Sequence, residues 1–142
     1  MTDKTSDLMD KLQSTETTAE LDQYLDEIRG KYPKDLSSYF KAILEEKGMS
    51  IADMQKKSGI DRNYIYQIMD GRKNAGRDKI IAMAVACKMT LPESQRALEI
   101  AQEGILYAKN RRDSLIIYAI NKKMNITGLN NLLDEYGFSP LD

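Results

Sequence analysis

Apolar residues recur at spacings of i, i+3, i+4 and i+7 along almost the whole of this 142-residue chain, and no stretch keeps the alternation of a strand. Only three Pro and eight Gly interrupt the pattern, which restricts the chain to an all-α fold. The length fits one domain of ordinary size with a single real core. No run approaches the roughly 18 consecutive apolar residues of a membrane span, and the acidic, polar N-terminus is unlike a signal peptide. A soluble, cytoplasmic protein without a membrane partner is therefore expected. The chain has no His and a single Cys, Cys87. That excludes an internal disulfide, the usual zinc sites and imidazole acid–base chemistry. The scattered carboxylates assemble into no nucleophile–base–orienter set, so neither catalysis nor a cofactor is expected.

The periodicity also places the helices. Leu8, Met9 and Leu12 make a short, weak stripe. Thr17 with Glu20 reads as a capping box opening a helix that carries Leu21, Tyr24, Leu25 and Ile28, ended by Gly30 and Pro33. The next runs from about Asp35 to Lys47 with Leu36, Tyr39, Phe40, Ile43 and Leu44 inward, and Gly48 supplies a left-handed stop. Further helices are expected near 77–87, 91–103, 111–123 and 126–136, with Cys87 as a small buried side chain. Three helix starts share one device, an apolar residue, a small polar cap and another apolar residue: Met49-Ser50-Ile51, Met89-Thr90-Leu91 and Met124-Asn125-Ile126. KGMSIADM (47–54) and KKMNITGL (122–129) echo each other over three or four residues.

Charge is unevenly distributed within a net of −1. Residues 1–30 hold 3 basic and 8 acidic side chains, residues 31–88 hold 12 and 7, and residues 89–142 hold 6 and 7. A basic middle between an acidic arm and a near-neutral tail fits either a polyanion-facing region or solvated helix surfaces that differ in sign.

Residues 50–71, SIADMQKKSGIDRNYIYQIMDG, carry the most information. Ser50 and Asp53 form a capping-box-like pair on a helix of about two turns. Gly59-Ile60-Asp61 is a tight turn in which Gly takes positive φ and Asp61 caps the next helix. At 100° per residue, Tyr64, Ile65, Ile68 and Met69 share one arc of that helix, and Arg62, Asn63, Tyr66, Gln67 and Asp70 share the opposite one. Helix, Gly-containing turn and a second helix of about nine residues is helix-turn-helix geometry.

From about Leu36 to Ala101 the sequence resembles the phage-repressor (Cro/repressor, Xre-like) family of DNA-binding domains. The likeness is carried by the helix before KGMS, Met54, Gly59, Ile60, Ile65, Ile68, Gly71 with Arg72 and Lys73, DKIIAMAVAC (78–87) and TLPESQRALEIA (90–101). Gln55 departs from the family's usual Ala, and Ser58 from an apolar residue. The resemblance implies a lambda-repressor-like five-helix domain with extra N- and C-terminal helices. It also implies that the second motif helix enters the major groove. Arg62, Asn63, Tyr66 and Gln67 then fall at base-reading positions: Arg pairs with guanine, Asn or Gln with adenine, and Tyr66 meets a thymine methyl or the sugar-phosphate. Ser50 and Ile51 start the positioning helix, where free N–H groups favour phosphate. Lys56, Lys57, Arg72, Lys73, Arg77 and Lys79 are the remaining phosphate candidates.

The chain is thus expected to divide into an acidic helical arm (1–34), a helix-turn-helix domain (35–103) and a C-terminal helical extension (104–142). The helix around Leu115, Ile116, Ile117, Tyr118 and Ile120 is apolar nearly all round, so it is either centrally packed or shared with a second copy in a homodimer. The arm covers its own chain, binds a protein partner through residues 1–30, or stays mobile. The functional expectation is a sequence-specific transcriptional regulator on double-stranded DNA. The alternative is an antitoxin-like or adaptor interaction module on the same scaffold.

Overall fold

A computed structural model describes residues 5–28 and 35–142. Among the described residues there are nine helices and no strands: α1 (Thr5–Gln13), α2 (Thr18–Ile28), α3 (Leu36–Lys47), α4 (Ile51–Ser58), α5 (Arg62–Met69), α6 (Arg77–Ala86), α7 (Leu91–Ile100), α8 (Arg111–Asn121) and α9 (Ile126–Glu135). They fall into two compact units, Met1–Pro33 and Lys34–Asp142.

In the first unit Thr17 accepts a hydrogen bond from the Glu20 N–H and so caps α2, as expected. The Glu20 carboxylate reaches one residue further back than a capping box requires, to the Glu16 N–H. Lys11 of α1 pairs with Glu27 of α2. The stop expected at Gly30 and Pro33 lies outside the described residues.

In the second unit most helices begin on a polar cap readable in the sequence, and α3 and α4 end on a left-handed glycine. Asp35 caps α3, and Gly48 closes it at φ 65°. Ser50 with Asp53 and Thr90 with Glu93 form complete capping boxes, and Asn125 caps α9. Ser50, Thr90 and Asn125 each follow a Met whose N–H closes the preceding helix: Met49 onto Leu44 O, Met89 onto Ala84 O, Met124 onto Ala119 O. At two of these three joints the left-handed residue before the Met is a lysine, Lys88 (φ 52°) and Lys123 (φ 56°). A side chain there costs roughly 1–2 kcal/mol. The two lysines offset it reciprocally: Lys88 Nζ donates to Lys123 O at 2.7 Å and Lys123 Nζ to Lys88 O at 3.0 Å. This exchange joins the α6–α7 turn to the α8–α9 turn.

The central element is α6, buried from Ile80 through Ala86 and packed against α4, α7 and α9. All-round apolar character was expected instead of α8, which buries Ile116, Ala119 and Ile120 but leaves Tyr118 exposed. Cys87, at the end of α6, is 1% exposed, and burial pushes its thiol up to about 11. α7 ends earlier than the expected 103 because Gln102 turns left-handed at φ 58°. The loop after it is pinned by Gln95, whose amide donates to Leu106 O at 2.8 Å and accepts from Leu106 N–H at 2.7 Å.

Two crossed ion pairs fasten the C-terminal extension to the start of α6. Arg77 forks onto both oxygens of Asp113 at 3.0 and 2.8 Å. Its neighbour Asp78 receives the fork of Arg112 at 3.1 and 2.9 Å. Burial alone pushes both carboxyls up. The facing guanidinium and a backbone N–H, of Tyr107 or Asp142, outweigh it and hold each below the ordinary carboxylate range.

Candidate nucleic-acid interface

The site is the exposed surface of α4, the turn after it, α5 and the loop leading into α6. Gly59 sits at φ 73° as the turn requires, with its N–H on Gln55 O. The two departures from the family pattern fasten this turn. Gln55 Nε2 donates to Ile60 O at 2.8 Å. Buried Ser58 donates to Gln55 O at 3.1 Å and accepts from the Ile60 N–H at 3.3 Å. Asp61 then caps α5 by accepting from the Tyr64 N–H at 3.2 Å. The packing an Ala would provide is replaced by side chain to backbone hydrogen bonds.

α5 is held from one side. Ile65, Ile68 and Met69 are 0%, 2% and 1% exposed, and Ser37 of α3 donates to Met69 O. Beyond Gly71 (φ 78°) the N–H groups of Arg72 and Lys73 both donate to Gln67 O, which turns the chain back toward α6. The face opposite the core carries Arg62 and Asn63, exposed, and Tyr66 and Gln67, half-buried. The side chains of Arg62, Asn63 and Gln67 hydrogen-bond to no described residue. Arg62 rests over the Tyr66 ring, 5.6 Å from its centroid. The four side chains expected to read bases therefore share one surface, with three sets of donors and acceptors unengaged.

The remaining residues divide. At the start of α4 the capping box engages the Ser50 N–H, donated to Asp53 Oδ2 at 3.0 Å, and the Asp53 N–H. The N–H groups of Ile51 and Ala52 stay free for an anion. The Ser50 N–H, with the Ser50 hydroxyl beside it, holds the Asp53 carboxyl below its ordinary range. Lys56 and Lys57 are exposed and form no ion pair with a described residue. Lys57 borders a crevice with Val85, Lys88 and Ile126, toward the extension. Arg72 pairs with Asp70 at 2.8 Å, with 67% and 54% of the two side chains exposed. Such a surface pair contributes about 0–1 kcal/mol and yields readily to a phosphate. Lys73 is exposed and Lys79 half-buried, both near Tyr64.

Arg77 is a correction. Of its five N–H donors, those not on Asp113 include Nε on Gly104 O at 2.7 Å, and Nη2 also meets Ile105 O at 2.9 Å. Asp113 is 5% exposed. A guanidinium held this way tethers the extension and is not available to a phosphate. The tether had a trace in the sequence: α6 and α8 both carry an Arg-Asp dipeptide in the first turn, 77–78 and 112–113. Tyr64 was expected only in the buried arc; it is half-buried, with its ring face turned to two lysines.

The helix-turn-helix family model matches residues 40–94, well under half of the chain. No curated protein and no solved structure matches it.

Proposed function

We propose that this protein, whose residues 40–94 match the helix-turn-helix family model, is a sequence-specific transcriptional regulator of the Xre, lambda-repressor-like type that reads the major groove with α5. The observation that carries the proposal is the exposed face of that helix. Arg62, Asn63 and Gln67 stand there without hydrogen-bond partners among the described residues, on a helix fixed from behind by Ile65, Ile68 and Met69. Unengaged polar side chains on a rigid scaffold suit base-edge recognition, because binding then needs no internal bond to be broken. The free N–H groups of Ile51 and Ala52, with Lys56, Lys57, Arg72, Lys73 and Lys79, supply sequence-independent phosphate contacts. No catalytic step and no cofactor enter this reading.

Selection from a random duplex pool at low salt tests it. The chain is expected to enrich one motif and to bind it with a steep salt dependence. Arg62→Ala should cost about 1–3 kcal/mol on that motif and relax one base position. Lys56→Ala should weaken all sequences alike and make the salt slope shallower by about 1. A pool without enrichment sinks the regulator reading. The interaction module then takes its place, favoured by the exposed Met9 and Leu25 of the acidic arm.

We propose further that the protein works as a homodimer, since two-fold operators pair with two-fold proteins. Ile105, Tyr107 and Tyr118 in and beside the extension, 48%, 57% and 52% exposed, provide apolar surface for it. Sedimentation at tens of micromolar is expected to give a dimer. A monomer both with and without the selected duplex would overturn this.

A further inference from the structure

Lys73, from the loop after α5, and Lys79, from the first turn of α6, converge on the ring of Tyr64. Their Nζ atoms lie 4.5 and 5.6 Å from its centroid. Neither ammonium forms an ion pair or hydrogen bond with a described residue. Two ammonium groups drawn toward one ring repel each other, while each gains about 0.5–1 kcal/mol from the ring. An anion bound by both amines would relieve that repulsion.

The place of the ring says which anion. The Tyr64 backbone is fixed by the Asp61 cap, and its side chain is half-buried between α5 and the start of α6. It follows Asn63 directly and precedes Gln67 by three residues, so an anion at the lysines borders the face assigned to base reading. We propose that Tyr64 is a positioning residue that gathers Lys73 and Lys79 onto a single phosphodiester of the DNA backbone, at the edge of the site read by α5. This rests on the DNA-binding reading above. It goes beyond it in joining two lysines into one site and in giving a role to a residue that contacts no base.

The test uses the full chain and the duplex that the wild-type chain selects, with affinity followed over a range of salt. One neutralised phosphate contributes about 0.9 to the slope of log affinity against log salt. The double variant Lys73→Gln/Lys79→Gln should therefore lose about 0.9, whereas two separate phosphates would lose about twice that. Tyr64→Leu keeps both charges but frees them, and should weaken binding about three- to tenfold. Tyr64→Phe keeps the ring face and should stay within about twofold of wild type. In the double-lysine background Tyr64→Leu should have no further effect.

A Tyr64→Leu loss of the same size in that background would mark a purely structural role and overturn the proposal. So would a Tyr64→Leu chain that binds like wild type, or a doubled loss of slope. A wild-type chain that binds no duplex removes the regulator reading itself and this site with it. Wild-type binding combined with any of the other three failures removes only the site.

Discussion

Replacing Asp113 with alanine is expected to lower folding stability by about 3–5 kcal/mol, the range for breaking a buried ion pair from one side. The carboxylate is 5% exposed and accepts three hydrogen bonds, two from Arg77 and one from the Tyr107 N–H at 3.0 Å. Without it the Arg77 side chain, 28% exposed, keeps only two backbone carbonyls against its full charge. Asp78→Ala should cost less, because that pair is more open, with side chains 22% and 23% exposed. Acid should have a related effect. Both carboxyls are held below their ordinary range in the folded chain. Their contribution is therefore complete above the unfolded value of about 3.9 and is lost as pH falls through the lower folded value. Urea unfolding at pH 7 and at about pH 3.5 reads both effects, and Asp113→Asn should flatten the difference between them. A loss under about 1 kcal/mol for Asp113→Ala would show that the pair holds nothing that packing does not already hold.

The second large effect is expected at Ile65→Ala, which should cost about 2–5 kcal/mol. Ile65 is fully buried and, with Ile68 and Met69, forms the fully buried face of α5. A helix of eight residues has no stability of its own in water, so its orientation depends on such contacts. Arg62, Asn63 and Gln67 would then lose their fixed relation to one another, and affinity for a selected duplex should fall beyond what the unfolded fraction explains. Ile65→Val, which removes one methylene, should cost about 0.5–1.5 kcal/mol and leave recognition in place. Denaturation together with duplex titration checks both variants. An Ile65→Ala chain that binds at wild-type strength while folded would show that α5 is oriented by its neighbours instead.

Much of this fold was legible in the sequence. Helix starts at Ser50, Asp61, Thr90 and Asn125 were readable because a polar cap acts within one turn. The same holds for Gly48 and Gly59, where φ is positive. The amphipathic division of α5 followed from period alone, and the structure exposes Arg62 and Asn63 while burying Ile65 and Ile68. What periodicity could not reveal was pairing over distance. Arg77 was grouped with the phosphate candidates because an arginine near a basic loop looks the same whether its partner is DNA or an aspartate 36 residues away. That α6 lies at the centre was not readable for a similar reason. The alanines of α6 look neutral in sequence, yet their small size lets α4, α7 and α9 close around it. Tyr64 sat on the correct arc, but its contact with lysines from two other segments depends on the path of the loop after Gly71.

The crossed pairs at the start of α6 also bear on where this protein can be cut. The family-model match ends at residue 94 and helix periodicity suggests a boundary near 103, so either would look like a natural end for a minimal helix-turn-helix fragment. Such a fragment would keep Arg77 and Asp78 but lose Asp113 and Arg112. It would also strip α9 from the face of α6 and remove the Lys123 carbonyl from Lys88. The first turn of α6 would then carry unmatched charges at Arg77 and Asp78, directly before Lys79. The last quarter or so of the chain is in this sense a covalently attached counterion for the helices before it. The shortest fragment that behaves like the whole should begin near Lys34 and run to the C-terminus.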